Sequence, residues 1–312
     1  MHSENHRIRL NSTLQNERNG ALSMIHIVQH ALILFYLTEL FLVPGYSSTS
    51  NAVRPDLDPH SALSASLSVL EEAPFSLRPT PDPEPERPIF YCLMFHHVVE
   101  DGVKCNDATI TTSRLRENLQ WLSDHGYTTV LPSELARGEP LPERAVLITF
   151  DDGYASNYYL AFPILQEFNA KAVISVVTEH VDRRISGFLT WKMCQELVDS
   201  GLVEIGSHTH FAHTLGHGIC RLPDEAQEAY EERIFTDLQT SIDLIESNLG
   251  TKVHFFAYPG GMTDPWANSF LKEHFAVTVT TRNGPIDISN GLYDLPRYNI
   301  EDVTFVSMYL PE

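Results

Sequence analysis

Positive charge is scarce in this chain. Its 312 residues include 21 Lys and Arg against 41 Asp and Glu, which gives a formal net charge of -20. The basic residues form no run or stripe that could follow a phosphate backbone, which is the footprint that nucleic-acid binding requires. We therefore expect no nucleic-acid partner.

Cysteine is also sparse. The chain has neither a Cys-x-x-Cys pair nor the cysteine density of a disulfide scaffold, because its only cysteines are Cys92, Cys105, Cys194 and Cys220. Their number and spacing decide nothing about the redox compartment. Hydrophobic residues make up 43% of the chain, which is ample for a sizeable core without such cross-links.

The first 50 residues predict a targeting segment. A polar stretch with three arginines precedes an apolar run, Ala31 to Val43, that has the length of a signal-peptide h-region. Polar residues interrupt the approach to this run and the run itself, at His26, Gln29, His30 and Glu39. We expect export to the periplasm or the cell exterior. An uncleaved membrane anchor, a start at Met24 or a plain helix are the alternatives.

Residues 51–88 predict a linker. Their composition is rich in Pro, Ser, Asp and Glu, and the prolines at 79, 81, 83, 85 and 88 forbid both a helix and a sheet interior. Such a semi-rigid spacer can hold a domain away from a membrane or a cell wall, and a disordered segment without function is the alternative.

Short apolar runs alternate with helical patterns from Ile89 onward. "AVLITF" precedes "NYYLAFPILQEF", and "KAVISVV" precedes "WKMCQELVDSG". Buried strands spaced by helices are the βα repeat of a parallel sheet or barrel. Because no internal boundary interrupts the pattern, we predict one α/β domain over residues 89–312.

Two adjacent aspartates follow one of these strands, in "TFDDG". Neighbouring side chains on a strand point to opposite faces, so Asp151 and Asp152 can serve one site only if the strand has just ended. Gly153 supplies that break, and the carboxyl ends of strands are where βα folds keep their active sites. An ordinary turn in which an aspartate caps the next helix is the alternative.

A second strand end is followed by a histidine-rich loop, "EIGSHTHFAHTLGH". His208 and His213 are five residues apart and share neither a helix face nor a strand face, so they can converge only from an irregular loop. His210 and His217 compete for the same role, and a solvated polar loop remains the alternative. One carboxylate and two imidazoles form a three-ligand set that leaves one zinc position open for water. A second carboxylate beside that set can accept the proton of the water.

Four motifs now combine into a family pattern. "LMFHHV" (93–98), "TFDDG" (149–153), "EIGSHTHFAH" (204–213) and "FAYPGG" (256–261) resemble the polysaccharide deacetylases of carbohydrate esterase family 4, the NodB-homology group. The five-residue histidine spacing and the early histidine strand resemble the circularly permuted branch that de-N-acetylates poly-β-1,6-N-acetylglucosamine. The resemblance covers about residues 89–300 and implies a distorted (β/α) barrel of about seven strands.

This resemblance implies a metal-dependent enzyme that acts as a monomer and removes N-acetyl groups from an N-acetylglucosamine polysaccharide. An esterase that removes O-acetyl groups and a catalytically inactive glycan-binding barrel are the alternatives. The family's ion is divalent, with zinc preferred and cobalt, nickel or iron possible on the same ligands. The resemblance implies Asp152, His208 and His213 as the metal ligands.

The other implied roles belong to four residues. Asp151 is expected to be the general base, His96 the general acid, Gly260 the backbone donor to the oxyanion, and Tyr258 a substrate contact. The chain departs from the family where Ala257 replaces an arginine that orients the base, and we expect Arg297 to reach the base from another loop. It also lacks the late histidine motif, since no histidine follows His274, and Phe95 replaces a tyrosine before His96.

Overall fold

The computed structural model of the protein describes residues 89–312, and the predicted targeting segment and linker lie outside the described residues. Within this range the backbone forms eleven strands: β1 Ile89–Phe95, β2 His97–Val99, β3 Thr109–Thr111, β4 Thr128–Thr129, β5 Ala145–Phe150, β6 Ala172–Val176, β7 Val203–Ser207, β8 Phe255–Ala257, β9 Val277–Val279, β10 Ile286–Asp287 and β11 Tyr298–Asn299.

Nine of these strands form the main sheet, in which seven follow the order β10-β1-β5-β6-β7-β8-β9, while β11 also pairs with β1 and β4 also pairs with β5. All neighbours on this path are parallel except β10, which runs antiparallel to β1. At the β9 edge of this sheet, Val279 forms a β-bridge with Leu295. The chain then continues into β11, which pairs with β1. The predicted distorted barrel of about seven strands is therefore confirmed.

Seven helices surround the sheet: α1 Thr112–Asp124, α2 Pro132–Ala136, α3 Phe162–Glu167, α4 Thr178–Asp182, α5 Trp191–Asp199, α6 Gln227–Leu249 and α7 Pro265–His274. A π-helical turn, Asn157–Ala161, leads directly into α3. None of the described helices is both long enough and apolar enough to cross a membrane.

The strands bury both faces, which explains why they read as continuous apolar runs. One hydrophobic cluster unites the helices with one face of the sheet and includes Val146, Ile148 and Phe150 of β5. A second cluster occupies the opposite, inner face and includes Ala145 and Leu147 of the same strand. This alternation decides which residues beyond the strand ends face the mouth of the barrel.

Several short elements were not predicted. β2, β4, β10 and β11 contain only two or three residues each, which is too short for an apolar period to register. The predicted helix "NYYLAFPILQEF" is divided between the π-helical turn and α3, and Pro163 lies in the first turn of α3. Proline has no N–H to donate, so it fits the start of a helix.

Candidate active site

Asp151 and Asp152 follow the last residue of β5, and their carboxylates serve different partners. Asp151 continues the inner-face alternation of Leu147 and Thr149 and is 2% exposed. Asp152 has a left-handed backbone with φ of 70°, as does Gly153 with φ of 73°. A Cβ at Gly153 would lie 2.9 Å from Val176 Cγ1, so only glycine fits this turn.

Arg297 forms a bidentate pair with Asp151 inside the barrel. Its side chain is fully buried, and Nη1 and Nη2 donate to Asp151 Oδ1 and Oδ2 at 2.9 and 2.7 Å. Nε donates to the carbonyl of Thr280 at 2.8 Å, and Nη1 also donates to Thr149 Oγ1 at 3.0 Å. Burial works against ionisation of Asp151, but the adjacent guanidinium outweighs it and holds the pKa of Asp151 below its ordinary value.

Asp152, His208 and His213 converge on one point. Asp152 Oδ1 lies 3.4 Å from His208 Nε2 and 3.2 Å from His213 Nε2, and all three ligand atoms lie within 4.8 Å of one another. Bonds of about 2.0–2.1 Å to a tetrahedral ion place ligand atoms about 3.3 Å apart. The two measured separations fit that geometry, so these residues can hold a divalent ion.

The surroundings prepare these groups as ligands. His208 is 3% exposed, and its Nδ1 donates to the carbonyl of Ala257 at 2.8 Å, which leaves the lone pair on Nε2. Burial disfavours the charge on Asp152, but the two neighbouring imidazoles outweigh it and hold the pKa of Asp152 well below its ordinary value. Burial lowers the pKa of His208, whereas Asp152 raises it, and the net direction is upward.

The competing histidines of the same loop do not join this group. His210 Nδ1 lies 3.0 Å from Thr178 Oγ1, and the backbone carbonyl of His210 accepts from the N–H of Glu179. His217 lies on the exposed part of the loop. The geometry therefore separates the pair His208 and His213 from the other two.

His96 and His97 point to opposite sides, as expected for neighbours at a strand end. His96 continues the inner-face alternation of Phe90 and Cys92, and the charges of Asp151 and Asp152 act on its ring. Burial is the largest influence on His96 and lowers its pKa.

The ring of His97 lies away from the aspartates. It packs on Tyr154 with ring centroids 4.8 Å apart, and Nδ1 lies 2.8 Å from Ser156 Oγ. These contacts anchor His97 against the turn that follows β5.

The "FAYPGG" segment carries one predicted residue at the surface and one in the core. Gly260 is exposed and has a left-handed backbone with φ of 60°. Tyr258 is only 1% exposed, and its role as a substrate contact stays a prediction. The Tyr258 hydroxyl lies 2.6 Å from Asp294 Oδ1 and 2.9 Å from Asn268 Oδ1, so its polar end is occupied inside the protein.

Two residues that organise this site were not predicted. Asn157 is buried, and its Nδ2 donates to the carbonyl of His96 at 2.8 Å. Asp237, on α6, accepts hydrogen bonds from backbone N–H groups of the histidine loop, residues 208–213. Its position within an apolar helical stripe is a signal that could have identified it, because a buried aspartate needs partners.

Comparison with known proteins shows which proteins this part of the chain is similar to. Residues 138–275 match the family model described as polysaccharide deacetylase. A poly-β-1,6-N-acetyl-D-glucosamine N-deacetylase of Escherichia coli K12 is 32% identical over 222 residues, which cover 59% of this chain. The match spans only 32% of that relative's own length.

Two solved structures share the fold over nearly their whole length. A de-N-acetylase from Aggregatibacter actinomycetemcomitans is 26% identical with a TM-score of 0.63, over 71% of this chain and 100% of that one. The BpsB deacetylase domain from Bordetella bronchiseptica is 27% identical with a TM-score of 0.59, over 70% of this chain and 98% of that one. The family model for polysaccharide deacetylases thus matches residues 138–275 of this chain, and these two solved structures share its fold.

Proposed function

We propose that the protein is a metal-dependent hydrolase that removes N-acetyl groups from an N-acetylglucosamine polysaccharide. One observation carries this proposal: the group Asp152, His208 and His213 lies beside a second carboxylate, Asp151, which is paired with Arg297. A metal site with an adjacent proton acceptor can hydrolyse an unactivated amide. The relatives named as N-deacetylases favour an amide substrate.

The ligand set favours zinc. Two imidazoles and one carboxylate are a common catalytic zinc set, although cobalt, nickel or iron can use the same ligands. A divalent ion held there supplies a Lewis acid that lowers the pKa of water toward about 7 and polarises a carbonyl.

Asp151 accepts the proton of the attacking water. Its carboxylate stays ionised at neutral pH because Arg297 lowers its pKa. The two hydrogen bonds from Arg297 fix the orientation of the carboxylate and still leave lone pairs free to accept a proton. Arg297 thereby takes the orienting role that Ala257 cannot fill.

The tetrahedral intermediate needs two hydrogen donors, one for its oxyanion and one for the departing nitrogen. The exposed backbone at Gly260 supplies an N–H for the oxyanion. His96 protonates the departing sugar nitrogen, because an amide anion is a very poor leaving group, and the carboxylates of Asp151 and Asp152 favour its protonated form against the effect of burial. The C–N bond breaks, and acetate and a free amine are released.

The predicted N-terminal organisation suits a polymer substrate. We propose that the protein is exported and that it acts as a monomer on a polysaccharide outside the cytoplasm. The linker over residues 51–88 would then give the domain reach from a membrane or wall.

Acetate release from a panel of polymers tests this proposal. The panel contains β-1,6-linked N-acetylglucosamine oligomers, chitin oligomers, peptidoglycan and acetylated xylan, and Asp151→Asn is the matched control. We expect release from an N-acetylglucosamine substrate by the natural protein only. Release from xylan alone would indicate an O-acetyl esterase, and glycan binding without any release would indicate an inactive barrel.

A further inference from the structure

Hydrogen bonds attach the histidine loop, residues 208–213, to helix α6. The Asp237 carboxylate accepts three consecutive backbone N–H groups, from His210 at 2.9 Å, Phe211 at 2.7 Å and Ala212 at 2.9 Å. These three residues lie between the two candidate metal ligands. One buried side chain therefore fixes the course of the chain from one imidazole to the other.

Ser241 supports the same loop from the next turn of α6. Its Oγ lies 2.6 Å from Ser207 Oγ, which accepts from the backbone N–H of Thr209 at 3.2 Å. Thr209 has a left-handed backbone with φ of 74°, and its Oγ1 accepts from the N–H of His213 at 3.1 Å. Asp237 and Ser241 are four residues apart, so they lie on one face of the helix.

The two imidazoles depend on this support to different degrees. His208 directly follows β7, and its ring is anchored by the carbonyl of Ala257. The side chain of His213 is 34% exposed, and its backbone is held through the loop. Any relaxation of the loop therefore moves His213 relative to His208.

Stability alone does not explain polar residues at these two positions. Both lie in the buried stripe of α6, where Asp237 is 9% exposed and Ser241 is 0% exposed, among neighbours such as Ile234 and Leu238. An ionised carboxylate in such a stripe costs free energy unless it is fully hydrogen-bonded. Apolar residues would pack the helix at lower cost but would leave the loop without acceptors.

We propose that Asp237 and Ser241 are positioning residues that set the separation of the two imidazoles and thereby the affinity for the divalent ion. The proposal rests on the ligand assignment of the proposed function. Neither residue touches the substrate or the reacting atoms, and each acts through the backbone of the loop.

Metal affinity of the full-length chain tests this role without any measurement of turnover. Zn²⁺ affinity is measured by competition with a chelator for the natural protein, Asp237→Asn, Ser241→Ala and Asp243→Asn. Asp243 is the matched control because it lies on the exposed face of α6, where its Oδ1 accepts from Gln239 Nε2 at 2.8 Å.

Asp237→Asn should weaken Zn²⁺ binding by about 10–100-fold, as expected for loss of an outer partner of a metal ligand. The amide has one acceptor oxygen, and its NH₂ group faces backbone donors. Ser241→Ala should give a smaller loss, and Asp243→Asn should bind like the natural protein. The visible absorption of the Co²⁺-loaded protein should change in the first two variants and not in the third.

Zn²⁺ affinity of Asp237→Asn equal to that of the natural protein would overturn the proposal. If Asp237→Asn fails to fold, the Zn²⁺ affinity of Ser241→Ala tests the proposal instead. An unchanged affinity of Ser241→Ala would then overturn it. His213→Ala separates this failure from a failure of the proposed function. Loss of Zn²⁺ in His213→Ala with full binding in Asp237→Asn would refute only the positioning role, whereas full binding in His213→Ala would refute the ligand assignment itself.

Discussion

Arg297→Met should damage both the stability and the activity of the protein. The guanidinium is fully buried, pairs with both oxygens of Asp151 and donates to Thr149 and to the carbonyl of Thr280. Methionine fills a similar volume but removes every donor. Asp151 is then left as a buried charge without its partner.

The size of the loss follows from the burial of the pair. Removal of one partner of a buried ion pair costs about 3–5 kcal/mol because the remaining charge stays desolvated. The kcat should fall by about 10²-fold or more, since the base loses its orientation and part of its ionised population. The KM should be unchanged, because the side chain of Arg297 is fully buried and does not contact the substrate.

The stability loss should depend on pH. In the natural protein the pKa of Asp151 is depressed, so its stabilising contribution is present above the ordinary value of 3.8 and is lost as pH falls through the folded-state pKa. In Arg297→Met, burial remains without the guanidinium and should raise that pKa. Ionised Asp151 then destabilises the variant, and the difference in free energy of unfolding should widen between pH 4 and pH 7.

Denaturant unfolding of the metal-free, full-length protein at several pH values measures this difference. Arg282→Met is the matched control, because Arg282 is exposed and donates to Thr280 and to the carbonyl of Asp294, not to Asp151. The double variant Arg297→Met/Asp151→Asn should be more stable at pH 7 than Arg297→Met. A loss no larger than that of Arg282→Met, or one independent of pH, would refute the reasoning.

Three further predictions concern residues around the same centre. His96→Ala should slow acetate release from an N-acetylglucosamine oligomer by about 10²-fold or more while sparing much of the hydrolysis of an aryl acetate, because only the amide needs a protonated leaving group. His97→Ala should affect both substrates little, and equal slowing of both by His96→Ala would contradict the acid role. Gly153→Ala should lower the free energy of unfolding by at least about 1–2 kcal/mol, since its backbone is left-handed and a Cβ meets Val176; an unchanged denaturation midpoint would contradict this. Tyr258→Phe should cost about 1 kcal/mol of stability with an unchanged KM, and a raised KM at unchanged stability would instead support its predicted role as a substrate contact.

The strands and the alternation of their side chains could be predicted well from the sequence. β5 matches the predicted apolar run "AVLITF" residue for residue, because strands buried on both faces leave a strong local signal. The ends of parallel strands share one edge of a sheet, so the convergence of Asp152 with His208 and His213 could also be anticipated.

Contacts made by irregular segments could be predicted less well. Arg297 lies 146 residues from Asp151 in a loop without periodicity, and its depth in the barrel is fixed by two long-range backbone pairings, of β11 with β1 and of Leu295 with Val279. Asp237 required the orientation of α6 against the histidine loop. The burial of Tyr258 was not predicted, because its neighbour Gly260 lies in an exposed turn, whereas the strand alternation and the partner Asp294 bury its side chain.

Metal content and acetate release, measured together on the full-length protein, test the division of labour between the two aspartates most directly. The natural protein should bind one divalent ion and release acetate from an N-acetylglucosamine oligomer. Asp151→Asn should retain the ion and lose turnover, His213→Ala should lose both, and His210→Ala should retain the ion. Loss of the ion in Asp151→Asn, or loss in His210→Ala with retention in His213→Ala, would contradict the assignment of Asp152, His208 and His213 as ligands and Asp151 as base.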